Sequence, residues 1–153
     1  VVLRTDPTPS GGATVETTNI VAQRTELMNE ADTLVTAWNA PSEAGYEQVT
    51  GDVVWNNRRQ QGYLRLAGMP ANDAQQMQYQ LWIVDPDRDR NPVDGGVFNV
   101  PAGQREVLIP IDAKLAVVDP KAFAITAEQP GGVVVSAGPL LIVAPATSEP
   151  RPT

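Results

Sequence analysis

The sequence predicts an all-β fold: an antiparallel β-sandwich of immunoglobulin-like, Greek-key style, preceded by a short N-terminal helix. About nine short runs rich in β-branched and aromatic residues follow one another at regular spacing, which is typical of sandwiches. The 14 prolines and 12 glycines fall mostly between these runs, where they separate short strands. A chain of 153 residues, 42% of them apolar, can bury one core, so we expect one domain.

The elements are expected in a simple order along the chain. Residues 1–16 and 145–153, rich in Pro, Gly and polar residues, are expected to be a flexible linker and a flexible tail. Residues 17–31 contain no Gly or Pro and have apolar side chains at roughly helical spacing, which predicts an amphipathic helix. Residues 32–144 are expected to form the sandwich. The apolar positions of the helix are Ile20, Val21, Leu27, Met28 and Ala31.

Alternation of side chains assigns faces to the strands. In the run 77–84, Tyr79, Leu81 and Ile83 are expected to face the core, with Gln78, Gln80 and Trp82 on the opposite, outer face. Phe123 and Ile125 are expected to join the same core. A polar run at 57–61 predicts a hairpin loop. The predicted strands are 33–39, 52–56, 62–67, 77–84, 96–100, 105–109, 122–128, 133–136 and 140–143.

Composition excludes several classes of function. The chain has no His and no Cys, so it cannot build a Ser-His-Asp or Cys-His catalytic set, a disulfide, or a zinc site with His or Cys ligands. Its net charge of −7 disfavours nucleic acid as a partner, since phosphate binding needs clustered Lys and Arg. Carboxylate chemistry remains, but 18 acidic residues make close pairs inevitable and therefore uninformative. We therefore predict no enzyme activity, no catalytic residues and no cofactor.

Two motifs invite a binding interpretation. The run 85–91 has carboxylate or amide oxygens at alternate positions, like the first half of a calcium loop. The Gly and Glu that such a loop requires at its sixth and twelfth positions are replaced by Arg90 and Gly96, so we predict a solvated hairpin loop and no metal site. Trp38, Trp55 and Trp82 could form an aromatic ligand face, but packing is the more common role of such residues.

The order of several short motifs resembles the C-terminal extracytoplasmic domain of the anti-sigma-K factor family. The motifs are Gly-Met-Pro at 68–70, YQLW at 79–82, Gly-Val-Phe at 96–98, the ITAEQPGG stretch at 125–132, and Gly-Pro at 138–139. Two departures lie in a turn: one extra residue between Glu128 and Pro130, and three valines at 133–135 where a polar stretch is common. The resemblance covers about residues 33–143.

This resemblance implies a regulatory function. Members of the family are single-pass membrane proteins in which a cytoplasmic segment binds an extracytoplasmic-function sigma factor, and stepwise proteolysis releases it. The chain then represents the outer domain alone, with residues 17–31 as a juxtamembrane connector. The expected partners are a sigma factor and the membrane, both reached through segments outside this sequence, and a site-specific membrane protease. No apolar run approaches the ~20 residues that span a bilayer, and the start lacks Met and a signal-peptide pattern, as expected for a segment cut after an anchor.

Two other functions remain open. The main alternative is a free-standing exported β-sandwich that binds a ligand or a protein, and a carboxylate hydrolase ranks last. The upstream reading frame separates the first two hypotheses. It should encode a membrane span and a sigma-binding segment for an anti-sigma factor, and a cleavable signal peptide for an exported binding module.

Overall fold

The computed structural model describes residues 15–39 and 43–146, which form one helix and eight strands. The predicted linker 1–16 and tail 145–153 lie mostly outside the described residues. Each observed strand overlaps a predicted one. The elements are α1 (Val15–Met28), β1 (Thr33–Ala37), β2 (Thr50–Asn56), β3 (Gln61–Ala67), β4 (Gln78–Val84), β5 (Val93–Phe98), β6 (Glu106–Pro110), β7 (Ala122–Glu128) and β8 (Ile142–Pro145).

The strands form two four-stranded sheets packed face to face. The first sheet has the order β1-β2-β3-β6 and the second β5-β4-β7-β8, and all neighbouring strands are antiparallel. After β4, β5 and β6 the chain returns to place β7 beside β4, which is a Greek-key connection. The predicted antiparallel sandwich with a short N-terminal helix is therefore confirmed. Unlike an immunoglobulin constant domain, its first three strands form one meander.

Both open sides of the sandwich are joined by hydrogen bonds between the sheets. On one side, the Asn39 backbone N–H donates to the Val143 carbonyl at 2.8 Å, close to where β1 lies beside β8. On the other side, the segment after β6 runs along the edge of β5, and the Asp112 N–H donates to the Gly95 carbonyl at 2.9 Å. These bonds use edge groups that would otherwise be available to another chain.

The core lies between the two sheets. The five side chains expected to share it are all buried, at 1% exposure or less, and they belong to one apolar cluster: Tyr79, Leu81, Ile83, Phe123 and Ile125. Aromatic rings from the two sheets pack against each other in the core. The ring centroid of Trp55 on the first sheet lies 6.3 Å from that of Phe123 on the second. The prediction of inward-facing side chains on β4 and β7 is correct.

The prediction for the outer face of β4 is wrong in one respect. Gln80 and Trp82 are also buried, because the segment between β7 and β8, residues 129–141, folds back over this face. We call this segment the β7–β8 connection. It includes the run 133–136, which was predicted as a strand but forms none. Gly131 and Gly132 both have positive φ, 88° and 80°, and turn the chain away from the extended path that a strand needs.

Candidate functional site

The outer face of the first sheet is covered by α1, and this contact is the first candidate functional site. Ile20 and Leu27 lie on the same side of the helix, two turns apart, and pack against Val35, Val54 and Tyr63. Among residues 19–28 of α1, whose side chains the structure describes, Leu27 is fully buried, with 1% of its surface exposed. This part of the helix is thus held to the sheet by one buried apolar anchor and one partly buried neighbour.

The amphipathic face is narrower than the sequence pattern predicts. Val21 is 47% exposed and Met28 is 39% exposed, although both belong to the predicted apolar set. The helix also begins and ends earlier than the predicted range 17–31, so Ala31 lies in the turn that follows it. The inward side between Ile20 and Leu27 instead carries Gln23 and Arg24, whose polar groups bind the sheet.

A chain of ion pairs runs beside the apolar anchor. The Arg24 guanidinium donates to Asp52 Oδ1 on β2 at 2.7 Å, and Arg65 on β3 donates to Asp52 Oδ2 at 2.9 Å. Arg65 also reaches Glu106 on β6 at 3.3 Å. The hydrogen bond to Asp52 is the main cause that raises the pKa of Arg65 above its ordinary value. Asp52 therefore pairs with two guanidinium groups, that of Arg24 on the helix and that of Arg65 on the sheet.

The C-terminal end of α1 is fastened to the start of β1. The Thr33 hydroxyl donates to the Leu27 carbonyl at 2.7 Å, and buried Asn56 donates its side-chain amide to the Thr33 oxygen at 3.0 Å. Arg59 and Glu30 form an ion pair across the same end. Asp32, the last residue before β1, has a φ of 67°, in the left-handed region that non-glycine residues seldom adopt.

The outer face of the second sheet has a different cover, the β7–β8 connection. Buried Gln80 holds it with both ends of its amide, donating to the Val133 carbonyl at 3.0 Å and accepting from the Val133 N–H at 2.9 Å. Gln78 accepts from the Gly131 N–H at 2.8 Å. The side chains of β4 thus supply the hydrogen bonds that a neighbouring strand would give this stretch of the connection.

A second polar contact fastens the middle of the connection. The Trp82 indole N–H donates to the Thr126 hydroxyl at 2.9 Å, and that hydroxyl donates to Glu128 at 2.6 Å. Ser136, on the connection, donates to the same Glu128 oxygen. This network satisfies the buried polar groups under the connection.

The loop at 85–91 places its first carboxylate away from solvent. Asp85 is buried, and its carboxylate accepts the backbone N–H groups of Val118 at 2.6 Å and Asp119 at 3.1 Å. The Asp85 side chain therefore fixes the segment before β7. Within residues 15–39 and 43–146, no group of three or more acidic side chains is arranged to hold a metal ion.

The three tryptophans do not share a face. Each is buried, and each indole N–H has a separate acceptor: the Arg65 carbonyl for Trp38, Asn57 for Trp55 and Thr126 for Trp82. Their role is packing with a satisfied polar edge, as the more common interpretation of such residues predicted.

The sequence analysis missed the ionic part of the site. The predicted loop at 57–61 would place Asp52 opposite Leu66, whereas the observed register pairs Asn56 with Gln61 and places Asp52 opposite Arg65. The contact of Arg24 with Asp52 joins residues 28 positions apart. No local pattern indicates it.

In the described part of the chain, α1 is too short and too polar to span a bilayer, and there is no second helix. Comparison with curated proteins and with solved structures gave no match. A family model described as "Anti-sigma-K factor rskA, C-terminal" matches residues 2–140, which include α1 and most of the sandwich. The motif order, the fold and this match agree, and the chain therefore belongs to the anti-sigma-K factor family, as its C-terminal domain.

Proposed function

We propose that this chain is the extracytoplasmic regulatory domain of a membrane-anchored anti-sigma factor, and that it controls an extracytoplasmic-function sigma factor through regulated proteolysis. Residues 32–144 form the regulatory sandwich, and α1 is the juxtamembrane connector to the anchor. The family match supports the anti-sigma assignment. The sigma factor binds a cytoplasmic segment of the same protein, and a membrane protease acts on the connector.

The observation that carries the mechanism is the limited attachment of α1. Leu27, the fully buried side chain among residues 19–28 of α1, contributes about 1.5–3 kcal/mol, and an ion pair such as Arg24 with Asp52 adds about 0–1 kcal/mol. These two contacts together contribute about 2–4 kcal/mol, and a detached state at that free energy has a population of roughly 0.1–3%. The helix can therefore detach while the sandwich stays folded.

Detachment would give a protease access to the connector. Proteases cleave flexible, exposed backbone far more readily than backbone held in a packed element. A signal that shifts the equilibrium toward the detached helix would raise cleavage in proportion to the detached fraction. The sandwich thereby acts as a regulator and needs no catalytic residues.

The test uses the full-length protein in cells with a sigma-dependent reporter. Leu27→Asp buries a charge against Val54 and Tyr63, so we expect cleavage of the connector and reporter activity without any stress. Met28→Asp is the matched control, because this neighbouring side chain is 39% exposed and should leave the reporter unchanged. Binding of the sigma factor to the cytoplasmic segment should be equal in both variants.

Deleting residues 33–143 gives a second test of the same proposal. The deletion should change sigma-dependent transcription while sigma binding persists. If transcription responds normally to every envelope stress after the deletion, and Leu27→Asp behaves like Met28→Asp, the regulatory role is wrong and the exported binding module is the better account.

A further inference from the structure

A cavity of about 510 Å³ lies beside the β7–β8 connection, on the side of the sandwich away from α1. Its walls come from the β4–β5 loop, from Lys114 and Leu115 after β6, and from residues 131–135 of the connection. Most of the lining is apolar, including Pro92, Val93 and the three valines 133–135. Both the size and the composition are those of sites that bind small molecules.

Exposed apolar side chains collect around this cavity. Among the described residues, eight large apolar side chains are exposed, and three of them line the cavity: Leu115 at 54%, Val134 at 88% and Val135 at 57%. A fourth, Leu140, lines a neighbouring cavity of about 130 Å³ that shares Pro92 with the first. Scattered exposed apolar residues need no explanation, but this clustering around a concave surface indicates a binding site.

The connection that forms one wall is able to adjust to a ligand. Its first part is held by the side chains of Gln78 and Gln80, and the two consecutive glycines at 131 and 132 precede the valines. These glycines have positive φ, a region that costs glycine nothing. One part of the wall is therefore held by hydrogen bonds. The next part carries exposed valines that are not packed in the buried core of the described residues.

The rim carries two acidic side chains, Asp89 and Asp94, and two basic ones, Lys114 and Arg88, so its charges balance and an anionic group would be held by Arg88 alone. Asp89 accepts the Asn91 N–H at 3.1 Å, Asp94 accepts the Gly96 N–H at 2.8 Å, and Lys114 pairs with Asp112. The Arg88 guanidinium makes no hydrogen bond or ion pair with any residue that the structure describes. A guanidinium with free donors matches a carboxylate, sulfonate or phosphate group.

We propose that this cavity binds a small, largely apolar molecule carrying one negatively charged group. Its apolar part packs on Leu115, Val134 and Val135, and its anionic group pairs with Arg88. This site does not depend on the regulatory role proposed above, because it lies on the other sheet and uses none of the residues that hold α1.

The experiment compares three probes by calorimetric titration of the purified domain, each below its micelle concentration. The probes are decanoate, decanol and decylamine, which share a chain and differ in charge. We expect saturable binding of decanoate to one site, with decylamine bound at least about tenfold more weakly. Arg88→Gln should weaken decanoate about fivefold or more and leave decanol unchanged, because only decanoate uses the guanidinium.

Matched variants locate the site. Leu115→Ser should weaken both decanoate and decanol about tenfold, whereas Val118→Ser should not, although both native side chains are 54% exposed. Arg90→Gln, in the same loop but outside the cavity, is the control for Arg88. All four side chains are exposed, so the variants should fold normally, which circular dichroism verifies. Absent saturable binding, a preference for decylamine, or equal effects of Leu115→Ser and Val118→Ser would each overturn the proposal.

Discussion

The two outer faces of the sandwich are covered in contrasting ways. On the first sheet, α1 is held by buried Leu27 and by charged Arg24, whose partner is Asp52. On the second sheet, the β7–β8 connection is held by neutral hydrogen bonds from Gln80 and by the hydrogen bond of the Ser136 hydroxyl to the Glu128 carboxylate. The first cover can leave as a unit, because a helix satisfies its own backbone. The second cannot leave without exposing the polar groups that it shares with β4.

Under the proposed function and the proposed ligand site, the two faces have different tasks. A helix that detaches intact is suited to control access to a connector. A connection that keeps its hydrogen bonds while its valines remain exposed is suited to form the wall of a binding site. If the two covers differ in what holds them, a change to each should have a distinct and separable effect.

The largest expected effect is at the apolar anchor of α1. Leu27→Ala should lower the stability of the helix attachment by about 1.5–3 kcal/mol, because it removes most of the apolar surface that Leu27 buries. Native-state hydrogen exchange should show faster exchange across α1 and little change in β4 and β7. Met28→Ala should leave both regions unchanged. Equal acceleration in α1 and in the two strands would show that the helix cannot detach alone.

The second-largest effect is expected at Gln80, whose neutral side-chain amide holds the β7–β8 connection. Gln80→Ala leaves the N–H and carbonyl of Val133 without partners, so we expect a loss of about 1–3 kcal/mol in urea unfolding. Limited proteolysis should then cut within residues 129–141. The control is Gln76→Ala, an exposed glutamine in the turn before β4. An uncut connection with an unchanged unfolding midpoint would mean that Gln80 does not hold it.

High pH should lower the stability of the core, which lies between the two sheets. Burial, reinforced by the neighbouring Tyr46, raises the pKa of Tyr79 above its usual value of about 10. Above that pH the unfolded chain loses this proton first, so stability falls as pH rises, by at most about 1.4 kcal/mol per pH unit for this group. Urea unfolding across this range should show a shallower fall for Tyr79→Phe, which also loses its hydrogen bond to the Pro70 carbonyl. An identical slope in the variant would contradict this assignment.

Salt should produce the smallest effect. It also distinguishes most directly between the ionic contacts that hold α1 and the neutral hydrogen bonds by which Gln80 holds the connection. Raising the ionic strength screens Arg24 and Arg65 from Asp52, so attachment of α1 should weaken by up to about 1 kcal/mol. The neutral bonds of Gln80 should not respond. Hydrogen exchange in low and high salt would then accelerate in α1 and stay constant at Val133. A matching response at both places would remove the electrostatic distinction between the covers.

Local patterns predicted the parts of the fold that depend on alternation. The bounds of β7 match the predicted strand, and the polar run predicted as a loop joins β2 to β3 through residues 57–60, with Gln61 already in β3. The inward side of β4 was also correct. Each of these features follows from side chains two positions apart, or from a polar run between two apolar ones, which the sequence displays directly.

The covers were harder to predict because contacts between distant residues determine them. The three valines at 133–135 have high strand propensity, yet the backbone of Val133 pairs with the side chain of Gln80, 53 positions away. Arg24 and Asp52 are likewise far apart in sequence. The predicted outward position of Gln80 was right, but its burial depended on a segment that the alternation of β4 does not describe.

The left-handed Asp32, between α1 and β1, has a consequence for how easily the helix leaves. This backbone geometry costs a residue with a side chain about 1 kcal/mol, and the packed helix on one side and β1 on the other hold it in place. Once α1 detaches, the junction can relax to an ordinary conformation. Relaxation would multiply the population of the detached state about fivefold. Under the proposed function, a single residue in the turn between α1 and β1 would thus set the resting level of an otherwise silent pathway.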